Sequence, residues 1–312
     1  MPRVLIIGYG SIGKRHSNIL NKMRKIKKIY ILTKQKIQNT KKIEKINYNI
    51  FLKLDIDYII VSNPSSLHFK FIKLIEKNFK NKKVLIEKPL FNKVHNLSLR
   101  KNFYYVGYNL RFHPVIKKIK DLIIDKLIWH IEMVQESFLP NWRKNINYMK
   151  SSTAKKSTGG GVLLELSHEL DLAINIFGHL NPLFVLNTKK SNLKINTDDI
   201  LIITGFIRSL NKKIIFNLSS NIFSKNLRRE IRINGKDFSI VGDLINNTII
   251  YKIKNKKYKF KYSNLHNNQT YSEQHKAILN NNNDIICKYN EAIKVMNLID
   301  KIQKIKKKIK LR

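Results

Sequence analysis

The sequence predicts an α/β protein in two parts: an N-terminal parallel sheet with flanking helices, then an α+β domain whose mostly antiparallel sheet is open-faced. Residues 3–107 alternate short apolar runs with amphipathic stretches, which is typical of βαβ units. Beyond residue 111, long segments alternate polar and apolar residues, as antiparallel strands do. With 312 residues, 43% of them hydrophobic, the chain is long enough to give each part a core.

The first part contains five apolar runs that predict strands. They lie at residues 4–7, 28–32, 57–61, 83–86 and 104–106. A crossover helix between the third and fourth runs is predicted because apolar residues there recur at helical spacing. These residues are Leu67, Phe71, Ile72 and Ile75.

The second part begins with a predicted helix at residues 115–124 and continues with seven predicted strands. The strands lie at residues 127–134, 182–187, 200–207, 213–218, 229–233, 238–241 and 248–253. Asn234-Gly235 predicts a hairpin turn, since both residue types tolerate positive φ. Residues 280–283 predict a loop. From residue 272 onward the pattern is helical, with a lysine-rich face opposite one apolar stripe that we expect to pack, in part against the N-terminal domain. The stripe comprises Val295, Leu298, Ile299, Ile302, Ile305 and Ile309.

The single cysteine, Cys287, excludes an internal disulfide and favours a reducing compartment. No apolar run approaches the roughly 18 residues that a membrane span requires. The N-terminus opens directly into a strand and lacks the pattern of a signal peptide. We therefore expect a cytoplasmic protein without a membrane span.

The charge is strongly positive, with 61 Lys and Arg against 21 Asp and Glu, or +40 net. Nucleic acid is a partner that such a charge suggests. The lysines are, however, spread along the chain together with isoleucine and asparagine, whose codons are also A/T-rich, and no nucleic-acid-binding module or basic stripe is visible. We expect no specific nucleic-acid partner, and a nucleic-acid-associated basic protein remains an alternative.

A glycine-rich turn, Gly8-Tyr9-Gly10-Ser11-Ile12-Gly13, follows the first strand and opens a helix. In this context GxGxxG predicts a dinucleotide site, with Gly8 allowing the tight turn, Gly10 the approach of the pyrophosphate and Gly13 close helix packing. Free N–H groups at the start of the helix would hold the anion. The first part is therefore predicted to be a Rossmann domain.

The end of the second strand bears on the choice between NAD and NADP. It has Thr33 and Lys34 where NAD-specific enzymes usually have a carboxylate for the ribose hydroxyls. Lys34 with Thr33 could hold a 2′-phosphate, which favours NADP over NAD. The alternative is that Lys34 is one more surface lysine.

Further motifs follow in order along the chain: Asn63-Pro64-Ser65-Ser66-Leu67-His68, Glu87-Lys88-Pro89, residues 107–114 (GYNLRFHP), residues 139–143 (LPNWR) and residues 159–171 (GGGVLLELSHELD). Together they resemble the glucose-fructose oxidoreductase, inositol dehydrogenase and MocA family (Gfo/Idh/MocA). The resemblance covers nearly the whole chain. The LPxWR and ELSHE segments are similar to a subgroup associated with surface-polysaccharide and nonulosonic-acid sugar pathways.

The resemblance implies a Rossmann domain and an open-faced α/β domain, with the nicotinamide at their junction. Lys88 would lie beside nicotinamide and substrate, and His168 would be the acid/base, a role for which histidine is suited in general because it can gain and lose a proton near neutral pH. Many relatives have an aspartate four residues before this histidine, where this chain has Leu164. Glu165 either replaces that acid or only packs, and Asp171 either orients the His168 ring or caps local structure. Residues 90–104 are shorter than in relatives, which usually have a helix there.

The remaining candidate residues come from the same motifs. The dinucleotide-binding set is Gly8, Tyr9, Gly10, Ser11, Ile12, Gly13, Thr33, Lys34, Asn63, Pro64, His68, Glu87 and Lys88, and the substrate-binding set is Asn109, Arg111, Trp142, Arg143, Tyr148 and His168. Aromatic faces stack on sugar rings and arginine pairs with carboxylate or phosphate, although loop aromatics also serve as core plugs. No metal site is predicted.

The sequence thus predicts a Rossmann domain at residues 1–107 and a substrate and oligomerisation domain at residues 108–312. The expected function is hydride transfer between NAD(P) and a hydroxyl or keto group of a sugar or nucleotide sugar, in cell-envelope glycan synthesis. A non-catalytic dinucleotide-binding regulator is a further alternative. The open sheet face favours a homo-oligomer.

Overall fold

The chain divides into two units, and each contains one β-sheet. The first unit comprises residues 1–109 and 267–296, and the second comprises residues 110–266 and 297–312. The computed structural model describes residues 1–143, 147–209, 212–263, 265–266 and 268–306. The domain boundary at residues 107/108 stays a prediction.

The first unit contains a six-stranded sheet in which every pair of neighbouring strands is parallel. The strands are β1 (Arg3–Ile7), β2 (Lys28–Leu32), β3 (Ile43–Ile46), β4 (Tyr58–Val61), β5 (Lys83–Ile86) and β6 (Phe103–Val106), in the order β3-β2-β1-β4-β5-β6. The helices are α1 (Ser11–Lys22), α2 (Tyr48–Phe51), α3 (Ser65–Asn78) and, from the later part of the chain, α7 (Gln269–Leu279). The order reverses between β1 and β4, the place where open α/β sheets bind ligands at the carboxyl ends of their strands.

The second unit contains an eight-stranded sheet. Its strands are β7 (Ile128–Phe138), β8 (Leu180–Thr188), β9 (Ile200–Ser209), β10 (Lys212–Asn221), β11 (Phe223–Gly235), β12 (Phe238–Asp243), β13 (Thr248–Ile253) and β14 (Lys256–Lys261), in the order β14-β13-β12-β11-β7-β10-β9-β8. Among the described residues of this sheet, β7 and β10 are the only parallel pair, and the other neighbouring strands are antiparallel. The predicted fold class is therefore confirmed.

Helices of the second unit include α4 (Pro114–Leu122), α5 (Val162–Glu165) and α6 (Ser167–Phe177). α4 packs on β12 so closely that a methyl group at Gly242 would overlap the Ile119 side chain. In α6, Leu170 and Ala173 are fully buried and anchor the helix in the core. This anchoring fixes the start of α6, which carries His168.

The C-terminal pattern forms two helices rather than one, because residues 280–283 form the expected loop between α7 and α8 (Tyr289–Lys306). The apolar stripe on α8 is buried at Val295, Leu298, Ile299 and Ile302, and Ile309 lies outside the described residues. Among those residues, no helix is long and apolar enough to cross a membrane.

The predicted hairpin turn is wrong in position. Asn234 and Gly235 are the last residues of β11, and the turn is made by Lys236 and Asp237, with Asp237 at φ 60°. Gly235 is needed for close packing instead, because a Cβ atom there would overlap the Leu127 carbonyl and the Phe238 ring.

Two strands were missed in the sequence. β3 has a charged residue at two of its four positions and β14 at four of its six, and both strands lie at an edge of their sheet, where one side of the backbone is unpaired. Four of the six residues of β14 are lysine. Strands were predicted from runs of apolar residues, and neither β3 nor β14 contains such a run.

Candidate active site

The glycine-rich turn links β1 to α1 at the carboxyl end of the parallel sheet. Gly8 has φ +96°, and a Cβ atom on it would approach the Asn63 backbone nitrogen to 2.7 Å. A Cβ atom on Gly13 would overlap the Gly8 carbonyl oxygen and approach Ser62 Oγ to 2.9 Å. Gly8 and Gly13 are therefore required by the packing of the turn itself.

Gly10 differs, because a Cβ atom there would meet nothing within 4 Å. It is the N-cap of α1 and offers no side chain to the helix N–H groups, and the first turn has no acidic residue. Asn63, across the turn, has a side chain whose buried amide nitrogen and oxygen have no hydrogen-bond partner among the described residues. Open space, free helix N–H groups and an unsatisfied amide together fit a dinucleotide phosphate and its neighbouring groups.

Thr33 and Lys34 follow β2, whose last residue, Leu32, accepts a hydrogen bond of 3.0 Å from the Gly8 N–H. Thr33 is half-buried and its hydroxyl accepts from the Gln35 N–H at 3.2 Å, while Lys34 is exposed. The structure thus places this pair directly after β2, the strand whose last residue accepts the hydrogen bond from the glycine turn.

Lys88 directly follows Glu87 at the carboxyl end of β5 and is half-buried. The Lys88–Pro89 peptide bond is cis. Glu87 is 5% exposed; Oε2 accepts from the Lys88 N–H at 3.2 Å, and Oε1 lies 2.9 Å from His16 Nε2. Glu87, predicted to bind the cofactor, is thus engaged inside the fold.

His68 is buried in α3 and lies against two backbone carbonyl oxygens. Its Nδ1 is 3.0 Å from the Leu90 oxygen and its Nε2 is 2.9 Å from the Asn63 oxygen. Burial lowers the pKa of His68, and these carbonyl contacts oppose that effect only in part. Its observed contacts tie the loop after β5 to the loop after β4.

In the second unit, the glycine run at residues 159–161 brings three segments together. A Cβ atom on Gly160 would overlap the carbonyl oxygens of Ser152 and Thr153, and one on Gly161 would overlap the Asp198 carboxylate. Asp198 Oδ2 accepts from the Leu163 N–H at 3.0 Å at the start of α5. The run therefore lets α5 start against a loop and a carboxylate.

Glu165 ends α5, and His168 is the second residue of α6. Both side chains are half-buried. The Thr153 hydroxyl, in a residue 2% exposed, donates to Glu165 Oε1 at 2.7 Å. The carboxylate of Glu165 is therefore held in place three residues before His168, the candidate acid/base.

Two buried carboxylates lie close to His168 in the sequence of α6, and each forms an ion pair with an arginine. Asp171 accepts from Arg111 at both oxygens, at 2.9 Å from Nε and 2.6 Å from Nη2. Glu169 accepts from Arg229 at 2.7 Å and 2.6 Å. Arg111 was predicted to contact substrate, and the structure places it in a bidentate ion pair with Asp171.

Asn109 lies in the first unit, 4% exposed, and its amide donates to Thr270 Oγ1 at 2.7 Å. Trp142, Arg143 and Tyr148 lie in the second unit and line one small crevice together with Thr153. Tyr148 accepts a hydrogen bond of 3.2 Å from the Lys194 N–H. Three of the candidate substrate-binding residues therefore line the same crevice as Thr153, the hydrogen-bond donor to Glu165.

Sequence reasoning missed Thr153, Asp198, Arg229 and His16. His16 follows Gly13 by three residues, a spacing that could have drawn attention, whereas the other three become visible only through tertiary contacts. Within the described part of the chain, no group of three His, Cys, Asp or Glu residues is placed to hold a metal ion.

Comparison with known protein families assigns both parts of the chain. Residues 2–99 match the family described as "Oxidoreductase family, NAD-binding Rossmann fold", and residues 132–308 match "Oxidoreductase family, C-terminal alpha/beta domain", the two domains of Gfo/Idh/MocA proteins. The chain belongs to the Gfo/Idh/MocA oxidoreductase family. Residues 2–99 therefore form a Rossmann domain of the NAD-binding oxidoreductase type, as the sequence motifs indicated.

One curated relative and two solved structures show how far this similarity extends. Over 189 residues the chain is 29% identical to the uncharacterized oxidoreductase YrbE of Bacillus subtilis (strain 168), a match over 55% of this chain and 53% of YrbE, about half of its length. UDP-N-acetylglucosamine 3-dehydrogenase GnnA from Acidithiobacillus ferrooxidans has a TM-score of 0.73 at 15% identity, over 97% of both chains. Levoglucosan dehydrogenase in complex with NADH has a TM-score of 0.78 at 16% identity, over 98% of this chain and 97% of that one. These two structures share the Gfo/Idh/MocA fold.

Proposed function

We propose that this Gfo/Idh/MocA protein catalyses reversible hydride transfer between a nicotinamide dinucleotide and a carbinol or keto group of a sugar or nucleotide sugar. The observation that carries the proposal is the carboxyl end of the parallel sheet, where an uncapped helix start, an unsatisfied Asn63 amide and Lys88 follow neighbouring strands. Two structural neighbours are named as sugar or nucleotide-sugar dehydrogenases, which supports the substrate class.

The glycine turn and α1 would hold the pyrophosphate, and Asn63 with Pro64 would border the nicotinamide half. When bound, the nicotinamide supplies or accepts the hydride. Lys88 polarises the reacting oxygen of the substrate with its ammonium group. His168 takes the hydroxyl proton during oxidation and returns it during reduction. Glu165, held by Thr153, stabilises the charged form of the His168 ring.

Thr33 and Lys34 favour NADP over NAD. Lys34 is exposed and therefore available to a 2′-phosphate, and no carboxylate at the end of β2 would repel that group. The same strand end would accept the ribose hydroxyls of NAD through Thr33.

Trp142, Arg143 and Tyr148 provide a surface for a polar ring, with two aromatic faces and one exposed guanidinium. The guanidinium would pair with a carboxylate or phosphate on the sugar. We place the reaction in cell-envelope glycan synthesis, in the cytoplasm, because the LPxWR and ELSHE segments resemble that subgroup and the chain has one cysteine.

A homo-oligomer is part of the proposal. Phe184 on β8 and Ile215 on β10 lie on the same face of the second sheet and are 41% and 51% exposed. Apolar side chains on an open face favour association of two copies. Light scattering on the purified protein measures its mass in solution and so tests for a homo-oligomer. The Ile215→Lys variant is expected to have a larger fraction of monomer.

Cofactor binding is tested by titrating the protein with NADH and NADPH at physiological salt while following nicotinamide fluorescence. We expect both cofactors to bind saturably and NADPH to bind more tightly than NADH. The Lys34→Ala variant should bind NADPH more weakly and NADH with unchanged affinity. Lys36→Ala, which removes an exposed lysine two residues away, is the matched control. An equal loss of NADPH affinity in the Lys34→Ala and Lys36→Ala variants would contradict a phosphate site at Lys34.

Catalysis is tested with a panel of sugars and nucleotide sugars using the preferred cofactor. Lys88→Ala and His168→Ala are each expected to lower kcat at least a hundredfold with cofactor affinity retained. His179→Ala, at an exposed histidine of the same unit, serves as the control. Full turnover in both active-site variants would reject these roles, and cofactor binding without hydride transfer on any sugar would favour a regulator.

A further inference from the structure

A cluster of lysines lies on one face of the second sheet, at the edge formed by β13 and β14. Six of the ten residues at 252–261 are lysine and none is acidic. Side chains alternate between the two faces of a strand, so Lys257, Lys259 and Lys261 of β14 share one face. Lys252 of β13 joins them, because it pairs with Lys257 in the register of the two strands. We call these four exposed side chains the lysine face.

The other face of this edge is covered by helix α4. There the ammonium group of Lys118 lies 4.9 Å from the centre of the Phe260 ring. Gly242 of β12, in the same cross-strand row as Phe260, lies against the Ile119 side chain. Because α4 packs on the face that carries Phe260, the four lysines project from the opposite face, and all four are exposed.

The charge of the lysine face is uncompensated. Among the described residues, none of its four lysines forms an ion pair with a carboxylate. Two carboxylates, Glu230 and Asp243, lie in the same cross-strand row as Lys261, and both are engaged elsewhere. Glu230 pairs with Arg228 and Arg232, and Asp243 accepts three hydrogen bonds from the turn that follows it. The lysine face therefore presents positive charge to solvent.

Two of these lysines repel each other across the sheet. Lys252 and Lys257 lie directly opposite on neighbouring strands, where Cβ atoms are about 5 Å apart and like charges are destabilising. Charge on an edge strand discourages pairing with another chain, which accounts for the lysines of β14. It does not account for Lys252, which lies one strand inside the edge. A bound anion would offset the repulsion, and this favours a binding role for the face.

We propose that the lysine face binds the phosphodiester backbone of nucleic acid without reading its sequence. The lysines are spread along the chain, and the pairing of β13 with β14 gathers four of them. From Lys257 to Lys261 the row is about 14 Å long, which is the length of about four phosphates of one nucleic-acid strand. Lysine forms charge-assisted hydrogen bonds with phosphate oxygens. This inference goes beyond the proposed function and does not depend on it.

An anionic membrane is the other partner that a basic surface suggests. Proteins that lie on membranes insert apolar side chains between the lipid headgroups beside their cations. In the cross-strand row of Lys259, the apolar neighbours on the lysine face are Val241 and Ile250, and both are half-buried. A row of lysines beside half-buried apolar residues matches a linear polyanion better than a lipid surface.

The first test measures the affinity of the full-length protein for a fluorescein-labelled DNA duplex of mixed sequence by fluorescence anisotropy. The lysine-face variant carries Lys257→Gln, Lys259→Gln and Lys261→Gln together. At physiological salt we expect its affinity to be at least tenfold lower. The slope of log K against log salt should decrease in magnitude by about 2.7, because each phosphate contact contributes about 0.9.

The matched control removes the same charge elsewhere in the second unit. It carries Lys155→Gln, Lys189→Gln and Lys190→Gln, at three exposed lysines outside the strands. Its DNA affinity should fall less than twofold. An equal fall in the two variants would overturn the proposal, because net charge alone would then explain the binding. Absence of DNA binding by the unmodified protein would overturn it as well.

A single substitution tests the repulsion between strands. Lys252→Glu places a carboxylate opposite Lys257, so the melting temperature without DNA should rise while the DNA affinity falls. A rise in melting temperature shows that the loss of affinity is not a loss of fold. Unchanged DNA affinity in this variant would contradict the proposal.

Membrane binding is tested with vesicles of phosphatidylcholine, alone and mixed with phosphatidylserine, in a sedimentation assay. We expect the lysine-face variant and the matched control to bind the mixed vesicles equally. If the lysine-face variant instead lost vesicle binding and retained its DNA affinity, the face would belong to a membrane contact and the nucleic-acid proposal would be wrong.

Discussion

Thr153 donates a 2.7 Å hydrogen bond to Glu165, and the two residues lie on different segments that the glycine run brings together. This bond fixes the acid that stands three residues before His168. If Glu165 replaces the aspartate that many relatives have at position 164, as we propose, this bond is what holds the replacement in place.

Thr153→Val should therefore impair the reaction more than the fold. The change removes the Thr153 hydrogen bond to the Glu165 carboxylate, and loss of a hydrogen bond to a buried group costs about 1–3 kcal/mol. We expect kcat to fall about tenfold while NADH affinity, measured by fluorescence, is retained. Thr153→Ser keeps the hydroxyl and should restore most of the rate; equal losses in both variants would show that the methyl group, not the bond, matters.

The buried Arg111–Asp171 pair yields a prediction on stability. Asp171→Asn removes the negative charge that pairs with the buried Arg111 guanidinium, so the free energy of unfolding in urea should fall by about 3–5 kcal/mol. The double replacement Arg111→Met with Asp171→Leu should recover much of this loss. If Arg111 chiefly bound substrate, Arg111→Met would instead raise KM and leave the urea midpoint unchanged.

Gly10 and Gly13 should respond differently to alanine. At Gly13 the new methyl group overlaps the Gly8 carbonyl, so the melting temperature should drop. At Gly10 it enters open space, so stability should be unchanged, whereas NADH affinity should fall at least tenfold because the methyl group occupies the approach of the pyrophosphate. Unchanged NADH affinity in Gly10→Ala would place the phosphates elsewhere.

Acid should destabilise the first unit through its buried histidines. Burial lowers the pKa of His68 and His275 from 6.5, so below that pH the unfolded chain binds protons that the folded chain does not. The stabilisation is complete above about pH 6.5 and declines as the pH falls, by about 1.4 kcal/mol per pH unit for each histidine. Urea unfolding between pH 5 and 8 should show this slope, reduced in His68→Gln and unaltered in His179→Gln.

The glycine turn and most strands of both sheets were predictable because local patterns encode them, such as the apolar run before Gly8 and the strand-length apolar segments of β9 and β13. The strand ends that carry Asn63 and Lys88 were also predictable, since a parallel strand shows where its carboxyl end lies. The partners of Asp171 and Glu165 were not, because Arg111 and Thr153 come close only through tertiary packing. His275, 259 residues from His16, leaves no local trace of their contact.

The lysine-rich strand β14 has a consequence for how the protein behaves at high concentration. An edge strand offers unpaired backbone groups to any other strand, and it can recruit further copies into a growing sheet. Like charges at most positions of β14 repel a second copy of the same edge, so aggregation through this edge is suppressed at low ionic strength. Salt shortens the range of that repulsion, and concentrated samples should therefore be most prone to strand-to-strand aggregation when salt is high.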